Sequence, residues 1–88
     1  MVMAVVDKRT ELHKRGDVLR AFENDCYRIC YALIRYDRAA LQAAKEAIRE
    51  LLLDESFYRL PDDRRPEAVR RTAIKHALRH HAERTPVN

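Results

Sequence analysis

Glycine is almost absent from this chain: Gly16 is the single one in 88 residues. Sheet-built folds need many tight turns, and glycine supplies much of the backbone freedom those turns require, so an all-β architecture is excluded. Proline is confined to Pro61, Pro66 and Pro86, which leaves long stretches without a helix breaker. Tryptophan is missing, and Ser56 is the only serine. Neither a glycine-rich phosphate loop nor a serine nucleophile elbow can be built from such a set. The adjacent carboxylates Asp54-Glu55 and Asp62-Asp63 read as helix ends and loop caps. The chain is therefore not expected to be an enzyme, and no cofactor is implied.

Cysteine is scarce as well. Cys26 and Cys30 stand one helical turn apart, where a disulfide would close a very short loop and stabilise little. Without a disulfide framework the expected compartment is a reducing one, the cytoplasm. Long apolar runs are lacking too. Met1 to Val6 is too short for a signal peptide, and no stretch approaches the roughly 20 apolar residues of a membrane span. A partner in the membrane is not expected.

Helix formers dominate what remains, and charge is abundant at 36% of residues. The formal net charge is +4. Residues 1–58 carry ten basic and ten acidic side chains, so the whole excess lies in residues 59–88, with eight basic against four acidic. Clustered basic residues are the footprint of a polyanion or an acidic protein surface, although a solvated face that favours solubility has the same composition.

The apolar pattern predicts an all-α fold, a small bundle of three main helices. Residues 1–15 form an N-terminal arm or a short extra helix, residues 16–84 a single helical domain, and residues 85–88 a frayed tail. Gly16-Asp17 punctuates the chain, with Asp17 as the N-cap of a helix over residues 17 to 36. Its stripe is Val18, Phe22, Cys26, Ile29 and Leu33, widened by Leu19, Cys30 and Ile34. Asp37 caps the second helix, whose stripe is Leu41, Ala44, Ile48, Leu51 and Leu52. Ala39, Ala40, Ala43 and Ala47 add helix propensity and permit close approach. The short link between these helices predicts neighbouring packing. Phe57 and Leu60 are expected to fold back onto the core. Pro61 to Pro66 is the clear loop, and Pro66 suits the first turn of the third helix. Val69, Ala73 and Ala77 make the narrow apolar side of that helix. A domain of this size buries only about 60% of its unfolded surface, so the core is thin and a homodimer is compatible with it.

Two clusters invite a chemical reading. Cys26 and Cys30 on one helix and His76 and His80 on another offer thiolate and imidazole ligands of the kind tetrahedral zinc takes. Against this, cysteine on an apolar stripe behaves as a small core residue. Tyr27, Tyr31 and Tyr36 are either partner contacts or packing at the core boundary, and the second reading is favoured for at least two of them.

The stretch from Phe22 to Glu50 resembles region 2 of bacterial sigma factors, especially the small extracytoplasmic-function type. Tyr27-Arg28-Ile29-Cys30-Tyr31-Ala32-Leu33-Ile34 matches in order that family's tyrosine-arginine-aliphatic helix with its Tyr-x-Leu-Leu continuation. Ala39-Ala40-Leu41-Gln42-Ala43-Ala44-Lys45-Glu46 falls in register with its Asp-Ala-Glu-Asp-x-x-Gln-Glu helix. The chain departs from the pattern at Ala39, Leu41 and Gln42, which stand for the acids, and at Lys45. The basic third helix lacks the tryptophan and asparagine that the family uses on promoter DNA.

The resemblance implies a region-2-like transcription module. Its second helix would bind RNA polymerase core or a sigma-type partner protein through Gln42, Lys45, Glu46, Arg49 and Glu50. Its third helix would lie near DNA phosphate with Arg64, Arg65, Arg70, Arg71, Lys75 and Arg79. The nearest analogues are the small region-2-like subunit of a split sigma factor and the short helical proteins of conjugative elements. The alternative is a degenerate sigma-like interaction or regulatory module, homodimeric or not, without DNA or polymerase binding.

Overall fold

The computed structural model of the chain describes residues 8–84, and of Lys8, Glu83 and Arg84 only the backbone. The tail at 85–88 and the first seven residues of the expected arm lie outside the described residues. Among the described residues there is no strand, and the fold is all-helical as expected. Helix α1 spans Lys8–Arg20, α2 Glu23–Ile34, α3 Asp37–Leu53, α4 Glu55–Arg59 and α5 Arg65–Arg84, with a short 3-10 turn at Asp62–Arg64. No described helix is long and apolar enough to cross a membrane.

The expected helix over residues 17 to 36 is two helices. Gly16 and Asp17 do not punctuate the chain: α1 runs through both. A helix interior tolerates one glycine at a cost of about 1 kcal/mol, and packing outweighs that here. Arg15 and Leu19 of α1 are both buried. Asp17 is not an N-cap but an exposed mid-helix residue that pairs with Arg20 at 3.6 Å. The break falls at Ala21-Phe22, where Phe22 sits at the edge of the right-handed helical region, at φ −107° and ψ −3°. Its amide donates to the Leu19 carbonyl at 2.9 Å, which closes α1 with a tighter turn. Its ring meets Phe57 edge-on, with centroids 6.3 Å apart.

α2 ends at Arg35 in the left-handed region, φ 61° and ψ 31°, with its amide donating to the Tyr31 carbonyl at 2.7 Å. Glycine is the usual residue for such a C-terminal cap. Tyr36 is extended, and α3 begins at once. This two-residue link gives the neighbouring helix pair the sequence predicts. Asp37 does not cap α3. It lies in the first turn, where it complements the helix dipole, and it accepts a hydrogen bond from the Tyr27 hydroxyl at 3.1 Å.

α2, α3 and α5 each pack on the other two, and α1 leans on α3. The seams are made of small residues: Cys26 and Cys30 from α2, Ala39, Ala40, Ala43, Ala44 and Ala47 from α3, and Ala73 and Ala77 from α5, all buried. The Cys30 thiol donates to the Ala73 carbonyl at 3.6 Å. Such contacts require backbones that approach closely, which larger side chains would prevent. Leu19, Leu51, Phe57 and Val69 fill the remaining volume.

The alanine side of α3 is thus the core side, and the expected stripe is corrected. Leu51 is buried, but Leu41 is 47% exposed, and Ile48 and Leu52 are half-buried. On α2 the stripe is likewise rotated. Cys26, Cys30 and Ile34 are buried, whereas Leu33 is exposed.

At the end of α3, Asp54 caps α4: its Oδ1 accepts from the Ser56 amide at 3.0 Å and from the Ser56 hydroxyl at 2.6 Å. Phe57 is buried and Leu60 packs against the core, so this segment folds back as expected. Arg15 ties α1 to this corner. Its guanidinium donates to Glu11 at 3.2 Å, to the Leu52 carbonyl at 3.1 Å and to Glu55 at 2.7 Å, and it lies 4.7 Å over the Tyr58 ring. α5 then begins at Arg65, with Pro66 in the first turn, where a missing amide proton costs no hydrogen bond.

Candidate partner-binding surfaces

The second and third expected helices, now α3 and α5, meet along a line of charge. Glu46 and Glu50 are one turn apart on α3, and Lys75, His76 and His80 lie across from them on α5. His80 Nε2 is 2.9 Å from Glu46 Oε1, His76 Nε2 is 2.8 Å from Glu50 Oε1, and Lys75 Nζ donates to Glu50 Oε2 at 2.6 Å. His76 is 7% exposed. Its Nδ1 stands 3.5 Å from Glu46 Oε1, long for a hydrogen bond. The nearly buried Nδ1 therefore has no hydrogen-bond partner, and the ring is held through Nε2. The hydrogen bond with His80 holds the Glu46 carboxyl below its ordinary range, and the bond from Lys75, then that with His76, does so for Glu50.

This clasp changes the account of the expected polymerase or partner residues. Glu46 and Glu50 are not free on the surface: both are half-buried and bound to α5. Gln42 is exposed and donates to Glu46 at 3.3 Å. Lys45 and Arg49 are exposed. They flank a groove of about 440 Å³ floored by Leu41, Ala44, Ile48 and Leu52, with Glu23 at its edge. The spacing of 41, 44, 48 and 52 makes this a continuous apolar stripe along the outer side of α3. A second hollow, about 470 Å³, lies over the clasp, where Arg49, Arg79 and Leu53 join Glu46, Glu50, His76 and His80.

The expected phosphate-binding residues do not form one patch. Arg65 is pinned by Asp62 at 3.1 Å and by the Tyr58 carbonyl at 3.3 Å, with its guanidinium 5.8 Å from the Phe57 ring centre. Arg71 pairs with Glu67 at 3.6 Å, and Lys75 belongs to the clasp. Arg64, Arg70 and Arg79 are exposed, on different sides. Arg70 lines a groove with α2, Arg79 the hollow with α3, and Arg64 sits in the 3-10 turn.

Cys26 and Cys30 are wholly buried, and burial pushes their thiols up to about 12 and about 11. Protonated core thiols are poor metal ligands. His76 and His80 face carboxylates instead of sulfur, and among the described residues no group of three or more His, Cys, Asp or Glu is placed to hold a metal ion. The structure does not bring the two cysteines and the two histidines together as a ligand set. Of Tyr27, Tyr31 and Tyr36 only Tyr27 packs against the core. Tyr31 stacks on it with centroids 6.0 Å apart and is 41% exposed, and Tyr36 is 47% exposed, so the expectation of two boundary tyrosines is corrected to one.

Reading the sequence alone missed the outer stripe of α3 as a surface, because its residues were assigned to the core. It also missed the clasp, although Glu46-x-x-x-Glu50 and His76-x-x-x-His80 share one spacing that foreshadows it. No protein-family model matches the chain, and neither a curated protein nor a solved structure does.

Proposed function

We propose that the chain is a sigma-region-2-like docking module of the transcription machinery that takes RNA polymerase core or a sigma-type partner on the outer side of α3. The observation that carries this reading is the partly open stripe of Leu41, Ile48 and Leu52 beside the exposed cations Lys45 and Arg49. Large apolar residues on a solvent-facing helix side gain when a partner covers them, by about 1.5–3 kcal/mol for each one fully buried. The same helix is the one on which the resemblance places the polymerase contact. Lys45 and Arg49 remain from the expected set as charges available to a partner, while Glu46 and Glu50 are bound to α5 and the exposed Gln42 donates to Glu46.

The DNA contribution is minor in this reading. Arg64, Arg70 and Arg79 are exposed on different sides, so few reach one duplex. Phosphate binding by three contacts would give a log–log salt slope of about −3 at most.

The test is binding of purified bacterial core polymerase to the full chain, followed by co-elution. Complex formation is expected, and Leu41→Lys, at an exposed position outside the core, abolishes it without unfolding the protein. Absence of any complex with core polymerase or with an isolated sigma-type partner would sink the reading. A second reading is favoured by one observation: Glu46, the one acid kept from the family's helix, and its neighbour Glu50 are engaged by α5. An interaction module without polymerase or DNA contacts then results. Its mark is a homodimer in sedimentation that Leu41→Lys dissociates, with no polymerase bound.

A further inference from the structure

A second apolar surface lies away from α3, between α2 and α5. The two helices meet through small residues, Cys30 and Ala73 among them, and the larger apolar side chains beside that seam stay partly open. Ile29, Ala32 and Leu33 from α2 and Ile74 from α5 floor a groove of about 400 Å³. Ile29 and Ile74 are half-buried, and Leu33 is 38% exposed. Leu78, 52% exposed, follows Ile74 by one turn on α5. Arg70, Ile74 and Leu78 therefore run along one side of α5 over about 12 Å, at 1.5 Å per residue.

The rim carries charge of one sign. Arg28 from α2 and Arg70 from α5 line the groove, both are exposed, and no carboxylate lines it with them. The neighbouring acid on α5, Glu67, is paired with Arg71. The α3 groove and the clasp hollow differ here, since Glu23 edges the first and Glu46 and Glu50 line the second.

We propose that the α2/α5 groove binds an acidic amphipathic helix of a partner protein, its apolar side on Ile29, Leu33 and Ile74 and its carboxylates on Arg28 and Arg70. A groove between two packed helices accepts the ridge of a third, and anchors at i, i+3, i+4 and i+7 match its length. An apolar floor with arginine at its edge is the composition of a protein–protein contact. A phosphate backbone would leave that floor uncovered. This surface is separate from the α3 stripe, so neither proposal depends on the other.

The test uses the full chain, isotopically labelled for amide NMR, and a synthetic helical peptide with leucine at i, i+3, i+4 and i+7 and glutamate elsewhere. A second peptide replaces every glutamate by lysine, and a short DNA duplex is the third probe. The glutamate peptide is expected to shift the amides of Arg28, Ile29, Leu33, Arg70 and Ile74, and the lysine peptide is not. The pair Arg28→Glu and Arg70→Glu, at exposed positions whose folding is checked by thermal melting, weakens the glutamate peptide about tenfold. The same variant gains affinity for the lysine peptide. Four results would overturn the proposal: no binding of the glutamate peptide, shifts confined to α3, equal binding of both peptides, or DNA alone perturbing these amides.

Discussion

The two sides of α3 are one residue out of phase and have opposite fates. Ala40, Ala43, Ala47 and Leu51 face the core and are buried, while Leu41, Ile48 and Leu52 remain partly open on the other side. The less hydrophobic side is the one that packs. Burying an alanine removes little apolar area from water, but it lets α2 and α5 come close, and every atom along those backbones then gains contacts. Leucines on that side would hold the neighbours apart. Which side of a helix enters a core is therefore decided by what its neighbours can approach, and the apolar side left over is free for a partner.

The largest effect follows from reversing the buried side. Ala43 is fully buried. Ala43→Leu adds three heavy atoms at a seam with no space for them, and overpacking of this kind costs about 1–3 kcal/mol. Urea unfolding monitored by circular dichroism reads it as a lower midpoint. A variant as stable as the parent would mean that the alanine side is not close-packed, and the contrast between the sides would fall with it.

A smaller gain is expected at the joint that sets α3 beside α2. Arg35 holds a left-handed conformation that costs a side-chain-bearing residue about 1 kcal/mol relative to glycine. Arg35→Gly relieves that strain, offset in part by the greater freedom of the unfolded chain. The expected result is a rise in stability of up to about 1 kcal/mol, read in the same unfolding experiment. A loss of stability would show that the Arg35 side chain, whose Nε is 3.5 Å from the Ala32 carbonyl, contributes more than the strain removes.

The sequence made the helical class, the α2/α3 hairpin, the fold-back at Phe57 and the apolar side of α5 legible. Each follows from a local signal, a short link or a stripe with a single solution. The sides of α3 were not legible, because residues 40, 43, 47 and 51 and residues 41, 44, 48 and 52 satisfy the same helical period. Only the alanines and cysteines of the facing helices choose between them. Gly16-Asp17 misled for a related reason. A turn-prone pair marks a boundary only when packing does not hold the helix through it, and Arg15 and Leu19 do hold it. The candidate surface was legible in its address, the second helix, and not in its residues. Glu46 and Glu50 face α5, a neighbour some 25 to 35 residues away in the chain.

That clasp predicts a pH dependence at the border between the two sides. The Glu46 and Glu50 carboxyls are held below their ordinary value near 4.5 in the folded chain. A carboxyl depressed on folding adds stability that is full above its unfolded value and is lost as pH falls through the folded one. Stability should therefore be level around neutrality in this respect and decline below about pH 4.5. Both side chains are more than a third exposed, so each pair contributes only about 0.2–1 kcal/mol. Glu46→Gln with Glu50→Gln flattens the decline in urea midpoints measured from pH 6 to pH 3. An undiminished decline in that variant would assign the acid sensitivity to other carboxylates, Asp54 among them, which the Ser56 cap also depresses.

The smallest effect on stability is expected at Leu41, on the open side. It is 47% exposed and lines the groove without belonging to the core. Leu41→Ser should change stability by less than about 0.5 kcal/mol, the usual range for surface substitutions. It should also remove apolar area from whatever the groove binds, weakening a partner by roughly tenfold, since about 1.4 kcal/mol lies within the value of one buried leucine. These two numbers separate a core from an interface. A residue that holds the fold loses stability first, and one that holds a partner loses affinity with the fold intact. If Leu41→Ser unfolds the protein instead, the outer stripe is a second core face, and the helix has no side to spare.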